Sequence, residues 1–173
     1  MAWENRYPNQ RGYGQQGGYG RSYGQNGGQL RTQGEPAAEI KPLPIPEAYV
    51  DAAEKVMRAL FANRSRITTT KMRGFLTLIS DVYNVESLRT EPELSAESKL
   101  KLMRLRVRMV YDAGRERDVK DFVEQAKLLE YLKGVGNSRE AMIQFAHYVE
   151  ALVAYHRYLE AGITDVRKDC NPL

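Results

Sequence analysis

Apolar side chains recur every three or four residues along most of the chain between positions 47 and 162, a spacing typical of amphipathic helices. Together with capping residues and glycines at the ends of the segments, this pattern predicts five helices. The first spans residues 47–62, the second is opened by Thr68 or Thr69, and the third runs from Ser95 to Gly114. The fourth follows Arg115 and runs to about Lys133, and the fifth runs from Asn137 or Ser138 to Gly162. No stretch gives a convincing strand. The sequence therefore predicts an all-α fold, a compact bundle of about five helices.

The third predicted helix differs from the others because it carries two apolar stripes. One stripe consists of Leu100, Met103, Val107 and Val110, and the other of Leu102, Leu105 and Met109. An ordinary surface helix has one apolar face and one polar face. Two stripes predict a central helix that packs against neighbours on two sides.

Basic residues fill the gaps between these two stripes. Arg104 and Arg108 fall on one side of the helix and Arg106 on the opposite side, while Arg115 and Lys120 follow at or beyond its end. Such a concentration of positive charge needs either acidic neighbours or an anionic partner. We interpret this region as the main candidate binding site.

A second basic cluster surrounds the predicted start of the second helix. Arg64 and Arg66 lie in the preceding turn, and Lys71 and Arg73 lie in or near the first helical turn. Cations oppose the helix macrodipole at this end, yet together with exposed N–H groups they would attract an anion. The cluster is interpreted either as an anion site or as an ordinary solvated turn.

The two ends of the chain differ in composition from the body. Residues 1–35 contain nine Gly, six Gln and four Arg with interspersed Tyr, which predicts a disordered tail because too little apolar surface is available to offset the entropy of ordering. This tail would be a plain appendage, an auxiliary RNA contact or a self-associating element. Residues 36–46 are Pro-rich and predict a stiff linker, residues 47–162 form the bundle domain, and residues 163–173 form a C-terminal tail.

The charge balance and the cysteine count narrow the class of protein. The formal net charge is only +4, so any basic surface must be local. A single cysteine, Cys170, excludes an intramolecular disulfide and fits a reducing compartment. Neither a signal peptide nor a membrane-spanning apolar run is recognisable. We expect a soluble, cytoplasmic protein without membrane contacts.

Motifs of the common enzyme classes are missing from the sequence. His147 and His156 have no second ligand at the spacing of a metal site, and His156 lies on an apolar seam typical of a core imidazole. The Gly-rich stretch 12–28 follows no strand and opens no helix, so it does not support a phosphate-binding loop. We expect no cofactor, no metal and no catalysis.

Three runs resemble a known family, the small subunit of type III-A CRISPR effector (Csm) complexes. Residues Thr68–Asn84 resemble its T-T-x-x-I-R segment and the L-S-L and D-Y-N that follow. Residues Leu105–Glu116 resemble its L-R-V-x-x-x-Y-x-A-G-R-E run, and Tyr148–His156 resemble its Y-x-E-A-L-V-A-Y-H ending. The runs occur in the order of the family, and the resemblance covers about Tyr49 to Leu159.

The resemblance implies a non-catalytic RNA-binding subunit of a guide-RNA ribonucleoprotein that acts in antiviral defence. Its copies would line the inner filament beside other effector-complex subunits and contact the backbone of the target RNA. Lys71, Arg73, Arg106, Arg115 and Lys120 match basic positions of the family, and Arg139 matches more loosely. Charge geometry adds further candidates, which are Arg64, Arg66, Arg104 and Arg108.

Two other interpretations remain open at this point. The bundle would be a helical protein-interaction or scaffold module if its basic ridges dock on an acidic protein. Alternatively, the tail of residues 1–35 would be the active element and the bundle incidental. Salt dependence of RNA binding separates the first of these from an RNA-binding subunit. Deletion of the tail separates the second.

Overall fold

A computed structural model describes residues 39–63 and 67–169, with side chains described up to Gly162. These residues form six α-helices joined by short connections, and their only β pairing is the isolated bridge between Glu93 and Ser138. The helices are α1 (Tyr49–Ala62), α2 (Thr69–Glu86), α3 (Ala96–Arg115), α4 (Arg117–Gln125), α5 (Leu128–Val135) and α6 (Arg139–Asp169). The predicted all-α class is confirmed. The predicted tail of residues 1–35, together with Arg64, Arg66 and Cys170, lies outside the described residues.

Side-chain caps fix the starts of three helices where the sequence predicted them. The Thr68 hydroxyl accepts a hydrogen bond from the Lys71 N–H at 3.3 Å. The Ser95 hydroxyl accepts one from the Ser98 N–H at 3.1 Å. At the start of α6, Ser138 accepts one from the Ala141 N–H at 3.2 Å. Each cap pairs an N–H group that has no partner inside the helix.

The predicted fourth helix is two helices, which corrects the sequence-based bounds. The chain leaves α4 at Ala126 and turns at Lys127, whose φ of 50° is left-handed. The buried Tyr148 hydroxyl donates a hydrogen bond to the Ala126 carbonyl at 3.1 Å and so pairs a group at the end of α4. This bend lets Phe122 on α4 and Leu128 on α5 both enter the core.

The last helix does not end at Gly162, contrary to the prediction. It continues to Asp169, and Gly162 does not adopt positive φ. Glycine inside a helix costs only about 1 kcal/mol relative to alanine. No proline follows before Asp169 to stop the helix.

The central helix of the bundle is α6, and not α3 as the two apolar stripes had predicted. Helix α6 packs against α1, α2 and α5 and buries Phe145, Tyr148 and Leu152. Helix α3 packs against α2, α4 and α5 through one stripe, that of Leu102, Leu105 and Met109. Its other stripe faces outward, with Met103 65% and Val107 70% exposed.

The described part of the predicted linker lies on the bundle. The Leu43 N–H donates to the Glu130 carbonyl at 3.1 Å, and Lys133 Nζ donates to the Ile40 carbonyl at 2.7 Å. The chain approaches α5 so closely that a Cβ atom at Gly134 would overlap the Leu43 carbonyl oxygen. This glycine is therefore required by contact rather than by backbone conformation.

His156 is a core residue, as its position on an apolar seam predicted. The side chain is buried, its Nε2 lies 2.8 Å from the Ile67 carbonyl oxygen, and its ring meets the Phe61 ring edge-on. This hydrogen bond holds the residues just before α2 against α6.

Candidate nucleic-acid interface

A cationic groove runs along α3 on its side toward the start of α2. The groove has a volume of about 740 Å³ and is open to solvent. Its lining residues are Lys71, Met103, Arg104, Val107, Arg108, Tyr111, Asp112 and Arg115. Residues four apart lie on one face of a helix, so the spacing along α3 places Arg104, Arg108 and Arg115 along a single edge. Lys71 comes from the first turn of α2, which packs beside them.

One carboxylate anchors two of these cations. Asp112 is nearly buried, with Oδ1 3.6 Å from Lys71 Nζ and Oδ2 3.6 Å from Arg108 Nε. Lys71 Nζ also lies 2.7 Å from Glu116 Oε1. The hydrogen bond to Glu116 raises the pKa of Lys71, with further contributions from the charges of Asp112 and Glu116. Lys71 is thus charged and held in place.

Tyr111 orients the guanidinium of Arg115. Arg115 Nη1 donates to the Tyr111 hydroxyl at 3.2 Å, and the guanidinium carbon lies 5.4 Å from the ring centroid. The residues are four apart on α3, and both are exposed. An aromatic ring beside an arginine offers a base-stacking surface next to a phosphate-binding group.

Arg104 differs from Lys71 and Arg108 because no acidic side chain of the groove pairs with it. It is exposed and makes no ion pair with any residue in the described ranges 39–63 and 67–162. Its charge is therefore available to a ligand.

The remaining predicted site residues lie elsewhere on the bundle. Arg106 lies on the opposite edge of α3, where a smaller depression of about 190 Å³ also contacts Lys99 and Lys133. Arg73 is exposed on α2 outside the groove, and Lys120 is exposed on α4, 3.7 Å from Glu124. The structure thus brings together Lys71, Arg104, Arg108 and Arg115, but not Arg73, Arg106, Lys120 or Arg139. The positions of Arg64 and Arg66 lie outside the described part of the chain.

Arg139 belongs to a structural cluster around a buried carboxylate. Its Nη1 donates to the Glu86 carbonyl at 3.1 Å, and the Glu86 side chain is fully buried. Burial would raise the pKa of Glu86, but hydrogen bonds from Ser98, Ser95 and Arg89 outweigh it and lower that pKa below its usual value. The cluster joins the end of α2 to the starts of α3 and α6.

Sequence reasoning missed two residues of the groove, Tyr111 and Asp112. Tyr111 carried a detectable signal, since it precedes Arg115 by four residues and follows Val107 by four. Asp112 could have been found as the acid four residues after Arg108. The contact between Lys71 and α3 joins two different helices, so the spacing of residues within one helix cannot predict it.

The described residues offer no obvious site for a metal. Among them, no group of three or more His, Cys, Asp or Glu side chains is arranged to hold a metal ion.

None of the described helices combines the length and the apolar character needed to cross a membrane.

Fold and groove together define a class, an all-α protein whose prominent surface feature is a cationic groove on rigid helices. Comparison with known proteins gives the family. The model of the Csm2 type III-A family matches residues 45–161. The chain therefore belongs to the Csm2 family of type III-A CRISPR systems, and the resemblance of the three sequence runs is confirmed.

Individual relatives agree with the family assignment. The protein described as "CRISPR system Cms protein Csm2" of Mycobacterium tuberculosis (strain CDC 1551 / Oshkosh) is 42% identical over 118 residues, which cover 67% of this chain and 94% of the relative. The protein of the same description from Streptococcus thermophilus is 39% identical over 115 residues, covering 65% and 91%. That from Enterococcus italicus is 32% identical over 98 residues, covering 56% and 70%.

Proposed function

We propose that this chain is a non-catalytic small subunit of a type III-A CRISPR ribonucleoprotein and that its α3 groove contacts the backbone of the target RNA. The observation that carries this proposal is that Lys71, Arg104, Arg108 and Arg115 line one groove together with Tyr111. Family membership supports the setting of a type III-A CRISPR complex with other subunits, and in this proposal guide RNA is also present beside this protein.

The chemistry of the groove suits an RNA backbone of any sequence. Arginine pairs two N–H groups with phosphate oxygens, which gives strong and oriented contacts. Contacts of this kind position a nucleic acid without reading its bases. Tyr111 adds a stacking surface that accepts every base. Selection of the target is then left to pairing with the guide RNA.

The predicted site residues that lie outside the groove have different roles in this proposal. Arg106, Arg73 and Lys120 are exposed and would contact neighbouring stretches of RNA or other subunits. Arg64 and Arg66 stay predictions from the sequence. Arg139 is better explained by its hydrogen bond to the Glu86 carbonyl, since a phosphate would have to displace that contact. We therefore assign Arg139 a structural role.

The runner-up function is a protein-interaction module with incidental basic ridges. The outward-facing stripe of Met103 and Val107 favours it, because contiguous exposed apolar residues mark protein contacts. Both functions fit one subunit if the groove binds RNA and the stripe binds protein. The two functions differ in their dependence on salt. For single-stranded RNA, the logarithm of the binding constant falls with the logarithm of the salt concentration, with a slope of about −0.7 per phosphate contacted.

The proposal is tested in the reconstituted effector complex by titration of a labelled target RNA. We expect the double variant Arg104→Glu with Arg115→Glu to bind target RNA at least about tenfold more weakly and with a shallower salt slope. A second double variant, Arg106→Glu with Arg115→Glu, reverses the charge of one arginine on each edge of α3. The matched control is Lys41→Glu with Lys55→Glu, which reverses two exposed charges outside the groove.

The readouts separate RNA contact from folding and assembly. Helical content and thermal midpoint of each variant are measured beside subunit stoichiometry of the complex. Unchanged RNA affinity in the folded, assembled Arg104→Glu/Arg115→Glu complex would refute the proposal. Equal losses in the Lys41→Glu/Lys55→Glu control would also refute it, because the effect would then be one of net charge.

A further inference from the structure

A small pocket lies between α2 and α6, and it shares no lining residue with the α3 groove. Its volume is about 240 Å³. Polar side chains from both helices line it, and these are Ser80, Tyr83, Asn84, His147 and Glu150. We call this cavity the α2–α6 pocket.

Two aromatic rings of the pocket are held in place by contacts between helices. The centroid of the Tyr83 ring on α2 lies 5.5 Å from that of the His147 ring on α6. Tyr49 of α1 stacks on the same imidazole, with the centroids 6.3 Å apart. All three side chains are half-buried, so the pocket presents an aromatic surface that exists before any ligand binds.

Apolar side chains supply the rest of the lining. They are Leu76, Ile79 and Ala146, of which Ile79 and Ala146 are buried. A ligand that suits both parts of the lining has an aliphatic stem and a polar tip. Long charged side chains have this form, since their methylene groups cover apolar surface while the head group stays with polar partners.

The polar groups of the pocket have no partners within the part of the chain that the structure describes. There, Glu150 is exposed without an ion pair, and the side chains of Ser80 and Asn84 form no hydrogen bond. No Lys or Arg of the described ranges 39–63 and 67–162 lines the pocket. A carboxylate beside two aromatic rings, with no internal counter-ion, is a site for a cation from outside.

We propose that the α2–α6 pocket binds the guanidinium group of an arginine presented by another protein chain. A guanidinium is planar, so it stacks on the rings of Tyr83 and His147. Its five N–H groups donate to the Glu150 carboxylate in pairs and to the Asn84 amide oxygen. The ammonium of lysine is a compact point charge and makes less use of flat rings and of paired carboxylate oxygens.

The charges of the pocket favour an arginine within a protein over the free amino acid. Free arginine would bring its α-carboxylate close to Glu150, and no cation of the pocket could pair with it. A nucleic acid is a poor occupant for the same reason, since phosphate and Glu150 repel each other. As a subunit of a Csm complex, the chain has other protein chains as neighbours. The inference does not depend on the proposed RNA contact.

Capped amino acids test the chemistry in the full-length protein. N-acetyl-L-arginine amide carries the side chain without terminal charges, and an NMR titration of backbone and side-chain amides measures its binding. We expect saturable shifts at Asn84 and His147, with a dissociation constant in the millimolar range. The citrulline analogue lacks the charge and the lysine analogue lacks the plane, so each should bind at least about fivefold more weakly. Equal binding of either analogue overturns the assignment to a guanidinium.

Variants of the pocket test which groups bind the probe. Glu150→Gln keeps the side-chain size and should weaken binding at least about fivefold. Asn84→Asp adds a carboxylate and should strengthen binding at least about twofold, a gain that misfolding cannot produce. The matched control is Glu140→Gln, which neutralises another exposed glutamate of α6 and should bind as the wild type does. No saturable shift in the wild type, or equal affinity of Glu150→Gln and Glu140→Gln, overturns the proposal.

Two further measurements test the source of the arginine. Free arginine that binds more tightly than the capped form would assign the pocket to a small metabolite and overturn the protein partner. In the reconstituted complex without target RNA, we expect Glu150→Gln to dissociate from the other subunits at lower salt than the wild type or Glu140→Gln does. Equal retention of the three proteins also overturns the protein partner.

The RNA proposal stands or falls separately in these samples. The α2–α6 pocket and the α3 groove have no lining residue in common, so Glu150→Gln complexes that stay assembled should bind target RNA as the wild type does. Unchanged RNA affinity in Arg104→Glu/Arg115→Glu, with binding of the arginine probe intact, would refute the RNA contact alone.

Discussion

Lys71 Nζ lies 2.7 Å from Glu116 Oε1, and this ion pair ties the first turn of α2 to the corner between α3 and α4. Glu116 follows the last residue of α3 and precedes the first residue of α4. Its carboxylate therefore occupies one end of the α3 groove as an internal counter-ion. A phosphate bound there would compete with Glu116 for Lys71.

Removing this counter-ion should strengthen RNA binding. Glu116→Gln keeps the size of the side chain but leaves Lys71 with its longer contact to Asp112 at 3.6 Å, so we expect RNA to bind about two- to fivefold more tightly, the range that a partly exposed ion pair spans. The pKa of Lys71 should fall, because the hydrogen bond to Glu116 is the main cause of its elevation. Fluorescence anisotropy with a labelled single-stranded RNA measures the affinity.

Glu124→Gln is the matched control for this change. Glu124 pairs with Lys120 on α4 at 3.7 Å, outside the groove, and both side chains are well exposed. The same neutralisation there should alter RNA affinity much less. If Glu116→Gln binds RNA no better than Glu124→Gln does, Lys71 does not contact the RNA.

The hydroxyl of Tyr148 should contribute to stability and not to binding. It donates to the Ala126 carbonyl within the core at 3.1 Å, and burial raises the pKa of Tyr148 far above its usual value. Tyr148→Phe leaves the carbonyl without this partner, so we expect a loss of about 1–2 kcal/mol in unfolding free energy. Urea denaturation followed by circular dichroism measures it.

The exposed Tyr158 provides a comparison for this deletion of a hydroxyl group. Tyr158→Phe should change stability by less than about 0.5 kcal/mol. RNA affinity should be unaffected in both variants. A stability of Tyr148→Phe equal to that of Tyr158→Phe would mean that water replaces the hydroxyl at Ala126.

Helix class and helix starts could be predicted because their causes are local. Thr68, Ser95 and Ser138 each accept a hydrogen bond from an N–H group three residues ahead, and the apolar spacing follows directly from helical geometry. The break at Lys127 could not be predicted in this way. A left-handed lysine is stabilised there by tertiary packing and by Tyr148, which lies 22 residues from Ala126 in sequence.

The candidate site was predictable only in part for the same reason. Arg104, Arg108 and Arg115 share an edge of α3 because of their spacing, and sequence alone gives that edge. Lys71 joins them through the packing of α2 on α3, whereas Arg139 is drawn away by the Glu86 carbonyl. The apolar spacing of α3 likewise cannot distinguish a buried stripe from one that is left for a partner.

The buried carboxylate of Glu86 should make stability depend on pH in the acid range. Its pKa is lower in the folded chain than its ordinary value of 4.5, so the ionised form stabilises the fold above that value. This contribution is lost as the pH falls through the folded-state pKa. Glu86→Gln should therefore cost about 1–3 kcal/mol near neutral pH and much less in acid.

Thermal unfolding of wild type and Glu86→Gln between about pH 7 and about pH 3 measures this difference. Glu91→Gln is the control, since Glu91 is exposed and also lies beside Arg89, at 3.3 Å. Its curve should run close to that of the wild type. A difference in thermal stability between wild type and Glu86→Gln that stays the same at every pH would show that packing of the side chain, and not its ionisation, causes the loss.

Gly134 should be intolerant of any side chain because the segment before α1 lies directly on α5. A Cβ atom would overlap the Leu43 carbonyl oxygen, which is backbone and cannot rotate aside. Gly134→Ala should therefore displace residues 40–46 and cost about 1–3 kcal/mol, despite the higher helix propensity of alanine. Gly114→Ala is the matched control, since it lies in α3 with open space around its Cβ position and should stabilise the protein by about 0.5–1 kcal/mol. Amide hydrogen exchange at Leu43, whose N–H donates to Glu130, reports the displacement directly. Unchanged protection of Leu43 in Gly134→Ala would contradict the close approach.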